Sequence, residues 1–177
     1  MLQKARRFAR QGLIRDKSEF RIKTEGPWHQ EVHELGLNYR LPDILASLGS
    51  SQLKRIMNFK SRKNEIYNLY NSRLNKNSSL ILPFKKDFVD PFWHLYPLRV
   101  PFGKREEIFT TLRESGVNVQ VNYLPVNLQP IFYNVELSFE FINAYNYYKS
   151  EISLPTFTDI TNIEINNICD IILSNAP

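Results

Sequence analysis

Residues 26–56 read GPWHQEVHELGLNYRLPDILASLGSSQLKRI, and five of them, Gly36-Leu37-Asn38-Tyr39-Arg40, set a glycine, an amide, an aromatic ring and a guanidinium before an amphipathic run. Glycine permits close backbone approach, and a proline in the first helical turn forfeits no hydrogen bond because its N–H would be unpaired there. Pro42 therefore marks the start of a helix over 42–56, with Ile44, Leu45, Leu48, Leu53 and Ile56 as its apolar stripe. The residue types alone leave two readings of the elbow. Either Asn38 caps the coming helix and Arg40 forms an ordinary ion pair, or both offer donors to an anion.

Upstream, residues 3–11 read as a short helix ended by Gly12, and 12–37 as irregular chain with Gly26-Pro27 as a breaker pair. Downstream, Phe59, Lys63, Ile66, Tyr67, Tyr70 and Leu74 step by threes and fours, which predicts a second helix over 59–75 that stops in a turn-rich NKNSS cluster. The character of the chain then changes. Leu80-Ile81-Leu82 and residues 94–100 read as strands, the latter with His94, Tyr96, Leu98 and Val100 on one face. Pro97 lacks a donor and so belongs at an edge or a bulge. Residues 104–115 form a helix around Ile108 and Leu112, and Val117, Val119 and Val121 alternate as a strand. A helix over 138–149 and a short strand Ile152-Ser153-Leu154 follow. The last helix opens on a capping box, Thr161 with Glu164, and carries Ile165, Ile168, Cys169 and Ile172 on one side. Two long helices followed by strand–helix units predict an α/β fold with helices on a small sheet. Too few strands precede the helices for a whole doubly wound domain.

At 177 residues, 42% hydrophobic and 23% charged, the chain has the composition of a soluble globular protein. No apolar run approaches the ~18–20 residues of a membrane span. The N-terminal MLQKARRFARQGL is basic and amphipathic but lacks the apolar core of a secretory signal. A lone Cys169 excludes an internal disulfide framework and fits a reducing compartment, so the expected location is cytoplasmic. His29 and His33, four apart, are two ligands with no third, and no metal is expected. His94 is expected to be a satisfied structural histidine, Trp28 and Trp93 packing residues, and Cys169 an inert small hydrophobe. The formal charge of +5 gathers in two groups, eight basic residues between Lys4 and Lys23, then Lys54, Arg55, Lys60, Arg62 and Lys63 on a helix. Such a face is solvated, or meets anionic small molecules or another subunit. No nucleic-acid motif accompanies it, so neither a nucleic acid nor a membrane is expected as partner.

The run GPWHQEVHELGLNYRLPD, with Leu48-Gly49 and Gln52-Leu53 downstream, closely resembles the DegT/StrS sugar-aminotransferase family of fold-type I pyridoxal-phosphate enzymes. Further matches follow in order at Gln120-Val121-Asn122-Tyr123-Leu124-Pro125, at Gln129-Pro130, and at NAYNYYKSEISLP over 143–155. The resemblance spans nearly the whole chain. It implies the C-terminal part of an aspartate-aminotransferase-like α/β fold, with 1–78 as the end of the large cofactor-binding domain and 79–177 as the small domain, a short sheet covered by helices. It also implies transfer of an amino group from glutamate to a UDP-linked 4-keto-6-deoxy-hexose, in the branch of the family that supplies pseudaminic acid and surface polysaccharide.

By the same resemblance pyridoxal 5'-phosphate is the cofactor and Asn38 its contact; Arg40, as a cofactor-binding candidate beside it, offers a planar fork to phosphate or to a structural carboxylate. Asn38 also reaches the substrate of a neighbouring subunit, and Asn122, Tyr123, Leu124, Pro125 and Val126 line the sugar-nucleotide site. The family often carries His where this chain has Asn122 and Asn127, which separates any imidazole role from these positions. The alternative for 122–126 is a surface turn stiffened by Pro125. The lysine that bonds the cofactor and the acid that pairs with its ring nitrogen lie upstream of the segment matching Lys4-Ala5-Arg6-Arg7-Phe8, so no catalytic residue is carried over. The expected partner is a second copy in a homodimer or a complementing N-terminal half. The alternative function is a non-catalytic module that binds such a half or an intact paralogue.

Overall fold

A computed structural model of the chain describes residues 1–21, 31–39, 41–128 and 141–176. It divides into two compact units, Met1–Lys54 and Arg55–Pro177.

In the first unit, helix α1 (Leu2–Phe8) ends where Gln11 and Gly12 take positive φ values of 64° and 70°. That reversal is left-handed backbone, which glycine adopts without a β-carbon penalty. It sends the chain into β1 (Leu13–Ile14), paired antiparallel with β2 (Glu31–Val32). A short 3₁₀ turn, Lys17–Glu19, is capped by Asp16, whose side chain accepts from the Ser18 N–H. Helix α2 (Asp43–Leu53) begins directly after Pro42, with Asp43 complementing the positive end of its dipole. Burial among the described residues of this unit is thin. Ile14 and Phe20 are buried, whereas α2 buries nothing, and its stripe Ile44, Leu45, Leu48 and Leu53 is exposed.

The second unit opens with α3 (Ile56–Leu74), which donates Ile66, Tyr67, Tyr70 and Leu74 to a continuous core. Strand β3 (Tyr96–Arg99) pairs antiparallel with β4 (Glu151–Leu154), with Tyr96 opposite Leu154 and Leu98 opposite Ile152. Helices α4 (Arg105–Glu114) and α6 (Asn162–Asn175) pack with α3 around this pair, and α5 (Ile142–Ser150) runs directly into β4 and packs on β3. A further 3₁₀ turn spans Val126–Leu128. The capping box of α6 is complete: the Thr161 hydroxyl accepts from the Glu164 N–H at 3.2 Å while the Glu164 carboxylate accepts from the Thr161 N–H at 2.7 Å.

Aromatic rings fill the centre. Tyr67 stacks on Trp93 with centroids 3.9 Å apart, and Tyr70 tilts against Tyr96 at 4.7 Å. Each of the three phenols has a hydrogen-bond partner: Tyr67 donates to the Pro83 carbonyl, Tyr70 to the Pro155 carbonyl and Tyr96 to Asn71 Oδ1. Burial pushes the Tyr70 and Tyr96 phenols well above their ordinary range, and it pushes the Cys169 thiol up to about 12, which keeps it a small hydrophobe.

Several elements are shorter than the alternation predicts. The stretch 80–82 contributes one bridge, Ile81 to Arg99, and 117–121 contributes one, Gln120 to Ser153. Only Leu80 and Val119 of these two stretches are buried, so each needs just one anchoring side chain. Arg99 directs its N–H and carbonyl to Ile81, so Pro97, two residues earlier, turns its donorless nitrogen to that outer side and costs the β3–β4 ladder nothing. His94 lies before β3 and is exposed, not a structural histidine on the strand face; its carbonyl accepts from the Thr156 hydroxyl at 2.9 Å. The helix expected over 138–149 is observed from Ile142, its first three residues lying outside the described segments.

The unit division has a direct consequence for proteolysis. Local opening follows buried contact density. The four buried side chains of α3 place it with the second unit, so the resistant core begins near Arg55. Limited digestion followed by intact-mass analysis is expected to remove segments of 1–54 first. Survival of 1–54 with loss of α3 would contradict this.

Candidate functional site

The elbow is built by two backbone segments in tight apposition. The Leu37 N–H donates to the Phe8 carbonyl at 2.7 Å, the Gln11 N–H to the Leu37 carbonyl at 3.1 Å, and the Tyr39 N–H to the Ala9 carbonyl at 3.0 Å. Asn38 thereby forms an antiparallel bridge with Arg10. Both glycines at this crossing are required by space. A β-carbon at Gly36 would lie 2.6 Å from the Phe8 carbonyl oxygen and from the Gly12 nitrogen, and one at Gly12 would lie 1.7 Å from the Glu34 carbonyl oxygen. The result is an exposed Asn38 on backbone pinned from one side, followed by an exposed Tyr39. Arg40, Trp28 and His29 lie outside the described residues.

Beside the elbow an open groove of about 510 Å³ is lined by Arg6, Ala9, Arg10, Leu13, Arg15, Tyr39 and Leu41. Charge counting alone did not reveal it, because Arg6, Arg10 and Arg15 line one groove only when α1 and β1 fold beside Tyr39 and Leu41. Arg7, next in sequence, is committed elsewhere, to Glu19. The basic group on α3 is likewise occupied. Arg62 donates to the Ile160 carbonyl at 2.5 Å and to Asn162 Oδ1 at 3.1 Å, Lys63 reaches the Thr156 hydroxyl, and Lys60 pairs with Asp90. Those cations tie α3 to the chain around 156–162 and to Asp90 instead of forming an open phosphate surface.

In the second unit, residues 122–126 leave the Gln120 bridge as a loop. Tyr123 and Val126 are exposed, and Asn122, Leu124 and Pro125 are half-buried. Asn122 turns inward: its N–H donates to Glu151 Oε2 at 2.9 Å and its Nδ2 donates to Ser153 Oγ at 3.0 Å. The Ser153 hydroxyl in turn donates to Glu151 Oε1. Burial pushes the Glu151 carboxyl above the ordinary carboxylate range, opposed by the Ser153 and Asn122 hydrogen bonds and by the Arg105 charge. Sequence reading missed Glu151. Its signal was an acidic residue at the head of a strand whose other positions, Ile152, Ser153 and Leu154, are all apolar or small.

His33 pairs with Glu31 through Nε2. Among the described residues, no three His, Cys, Asp or Glu side chains are grouped to hold a metal ion, and no helix is long and apolar enough to cross a membrane.

The sequence pattern of the DegT/DnrJ/EryC1/StrS aminotransferase family matches residues 1–173. The chain belongs to that family. The DegT/StrS match takes in both the elbow and the 122–126 loop. A similar relative is the UDP-4-amino-4,6-dideoxy-N-acetyl-beta-L-altrosamine transaminase of Campylobacter jejuni, 31% identical over 150 residues, which are 83% of this chain and 40% of that protein. Among solved structures, Helicobacter pylori PseC, an aminotransferase of pseudaminic acid biosynthesis, superposes with a TM-score of 0.81 at 24% identity, covering 98% of this chain and 45% of that one. Spr1654 of Streptococcus pneumoniae in its PLP form superposes with a TM-score of 0.79 at 25% identity, covering 95% of this chain and 41% of that one. The fold over this region is therefore the expected one, that of the sugar aminotransferases. The chain spans about two fifths of the length of the curated relatives it matches (42%, 40% and 40% for the first three).

Proposed function

We propose that this chain is the C-terminal part of a pyridoxal-phosphate-dependent aminotransferase that transfers an amino group from glutamate to a UDP-linked 4-keto-6-deoxy-hexose, on a route to pseudaminic acid or a related surface polysaccharide. The observation that carries the reading is the family match across both candidate segments, together with the identity to the Campylobacter transaminase. Pyridoxal phosphate, when bound, supplies the electron sink for amino transfer. The donor set at the elbow fits a phosphate group: an exposed carboxamide at Asn38 stands on backbone that cannot retreat, beside a groove whose lining includes Arg6 and Arg10. An amide N–H donates to an anionic oxygen without introducing a titrating proton, and guanidinium groups present paired donors to phosphate.

On this reading Asn38 and Arg40 hold the cofactor phosphate, Asn38 doing so across a subunit boundary. Residues 122–126 meet the sugar nucleotide, and Tyr123 offers its ring face and hydroxyl. Residues 1–78 close the large domain and 79–177 form the small one, with α3 packed into the core of the latter. The exposed row Ile44, Leu45, Leu48 and Leu53 supports the same picture, since an apolar face of that length is built to be covered by the rest of the enzyme.

The test is a glutamate-dependent assay of the protein that carries this chain, with UDP-linked and GDP-linked 4-keto-6-deoxy-hexoses as acceptors and 2-oxoglutarate release as readout. Turnover with the UDP sugar is expected, and Asn38→Ala and Tyr123→Ala should each lower kcat/KM by about tenfold or more. Turnover with the GDP sugar alone would overturn the acceptor assignment.

A further inference from the structure

Strand β4 presents Glu151 and Ser153 on one face, opposite Ile152 and Leu154, which fill the core. All four are buried, and Glu151 is 0% exposed. A carboxylate in that position carries a desolvation cost that a well-packed apolar residue would not. What it gains is two hydrogen bonds, from Ser153 on its own strand and from the backbone N–H of Asn122, the first residue of the exposed loop. The Asn122 carboxamide closes the cluster by donating to Ser153 Oγ. The loop is thus fixed at its base by three connected groups, and its next residue, Tyr123, stands 75% exposed.

We infer that Glu151 is a positioning residue: through Asn122 and Ser153 it anchors the base of the 122–126 loop to β4 and so sets the direction in which Tyr123 is presented to ligand. This rests on the reading of that loop as the sugar-nucleotide side of the site. It also assigns Asn122, whose side-chain N–H is engaged inward, an anchoring rather than a ligand-donating part.

The test combines amide hydrogen exchange, resolved at Asn122, with titration by UDP as the probe. In the wild-type chain the Asn122 amide is expected to exchange at least ~10-fold more slowly than an unprotected amide, because its acceptor is a buried charged group. Glu151→Ala should abolish that protection and weaken UDP binding by about tenfold, whereas Glu151→Gln, which keeps one carbonyl oxygen for the Asn122 N–H, should retain most of both. A merely space-filling Glu151 would give no such rescue pattern beyond what shape provides, and Glu151→Met separates the two by restoring volume without an acceptor. Should Glu151→Ala fail to fold, Ser153→Ala, which removes one link of the cluster, is expected to raise Asn122 exchange by roughly threefold. An unprotected Asn122 amide in the wild type, or unchanged protection in a folded Glu151→Ala or Ser153→Ala chain, overturns the inference. If protection behaves as expected but wild-type protein binds no UDP, the anchor stands and the sugar-nucleotide reading of the loop falls.

Discussion

Gly12→Ala is expected to unfold the first unit while leaving the second folded. Two independent costs fall on one atom. Gly12 holds φ at +70°, a left-handed conformation that costs an L-residue about 1–2 kcal/mol. The added β-carbon would also lie 1.7 Å from the Glu34 carbonyl oxygen, a main-chain atom that no rotamer change can move. Relief requires the two segments to part, which breaks the bonds from Leu37 to Phe8, Gln11 to Leu37 and His33 to Gly12. A loss of at least about 3 kcal/mol follows, and among the described residues of this unit Ile14 and Phe20 are the buried large apolar side chains that resist it. Amide exchange at Leu37 and Tyr39 should rise to near unprotected rates while β3 and β4 keep their protection. Gly49→Ala is the control: it lies inside α2 with open space around it, and should stabilise the helix by up to about 1 kcal/mol. Equal behaviour of the two variants would refute the crossing.

Tyr70→Ala is expected to cost the second unit about 3–5 kcal/mol, the range for deleting a large buried aromatic side chain. Tyr70 is 0% exposed, packs against Tyr96, and donates from its hydroxyl to the Pro155 carbonyl at 3.0 Å. Tyr70→Phe isolates the last contribution. It keeps the ring and deletes one neutral hydrogen bond, so about 1 kcal/mol is expected. Leu48→Ala, on the uncovered face of α2, should change the stability of the 177-residue chain by no more than about 0.5 kcal/mol. Hydrogen exchange resolved by residue across a urea series, read at β3 and β4 for the second unit and at Leu37 and Tyr39 for the first, follows all three. A Leu48→Ala loss comparable to that of Tyr70→Ala would mean that the α2 stripe is buried after all.

Helix periodicity was the most legible part of this chain. Ile66, Tyr67, Tyr70 and Leu74 lie on one face of α3, and Ile165, Ile168, Cys169 and Ile172 on one face of α6, because a 3.6-residue repeat is a local property. The Thr161–Glu164 capping box was legible for the same reason. Strand lengths were not. Val117, Val119 and Val121 alternate in sequence, yet the Val119 N–H turns back to the Val117 carbonyl and a single bridge forms, from Gln120 to Ser153, because pairing depends on a partner some thirty residues away.

The candidate site divides in the same manner. Asn38, Tyr123 and the family to which they point could be read from short motifs, because those motifs specify residue types at fixed spacing. The groove of Arg6, Arg10 and Arg15, the backbone crossing that demands Gly12 and Gly36, and the buried Glu151 that takes hold of Asn122 join residues from 4 to almost 30 positions apart. Local sequence determined which segments are helical and which family the chain belongs to. Only the folded chain decided which cations converge and which carboxylate is sealed inside, because steric exclusion and desolvation act between atoms brought close in space, whatever their distance along the chain.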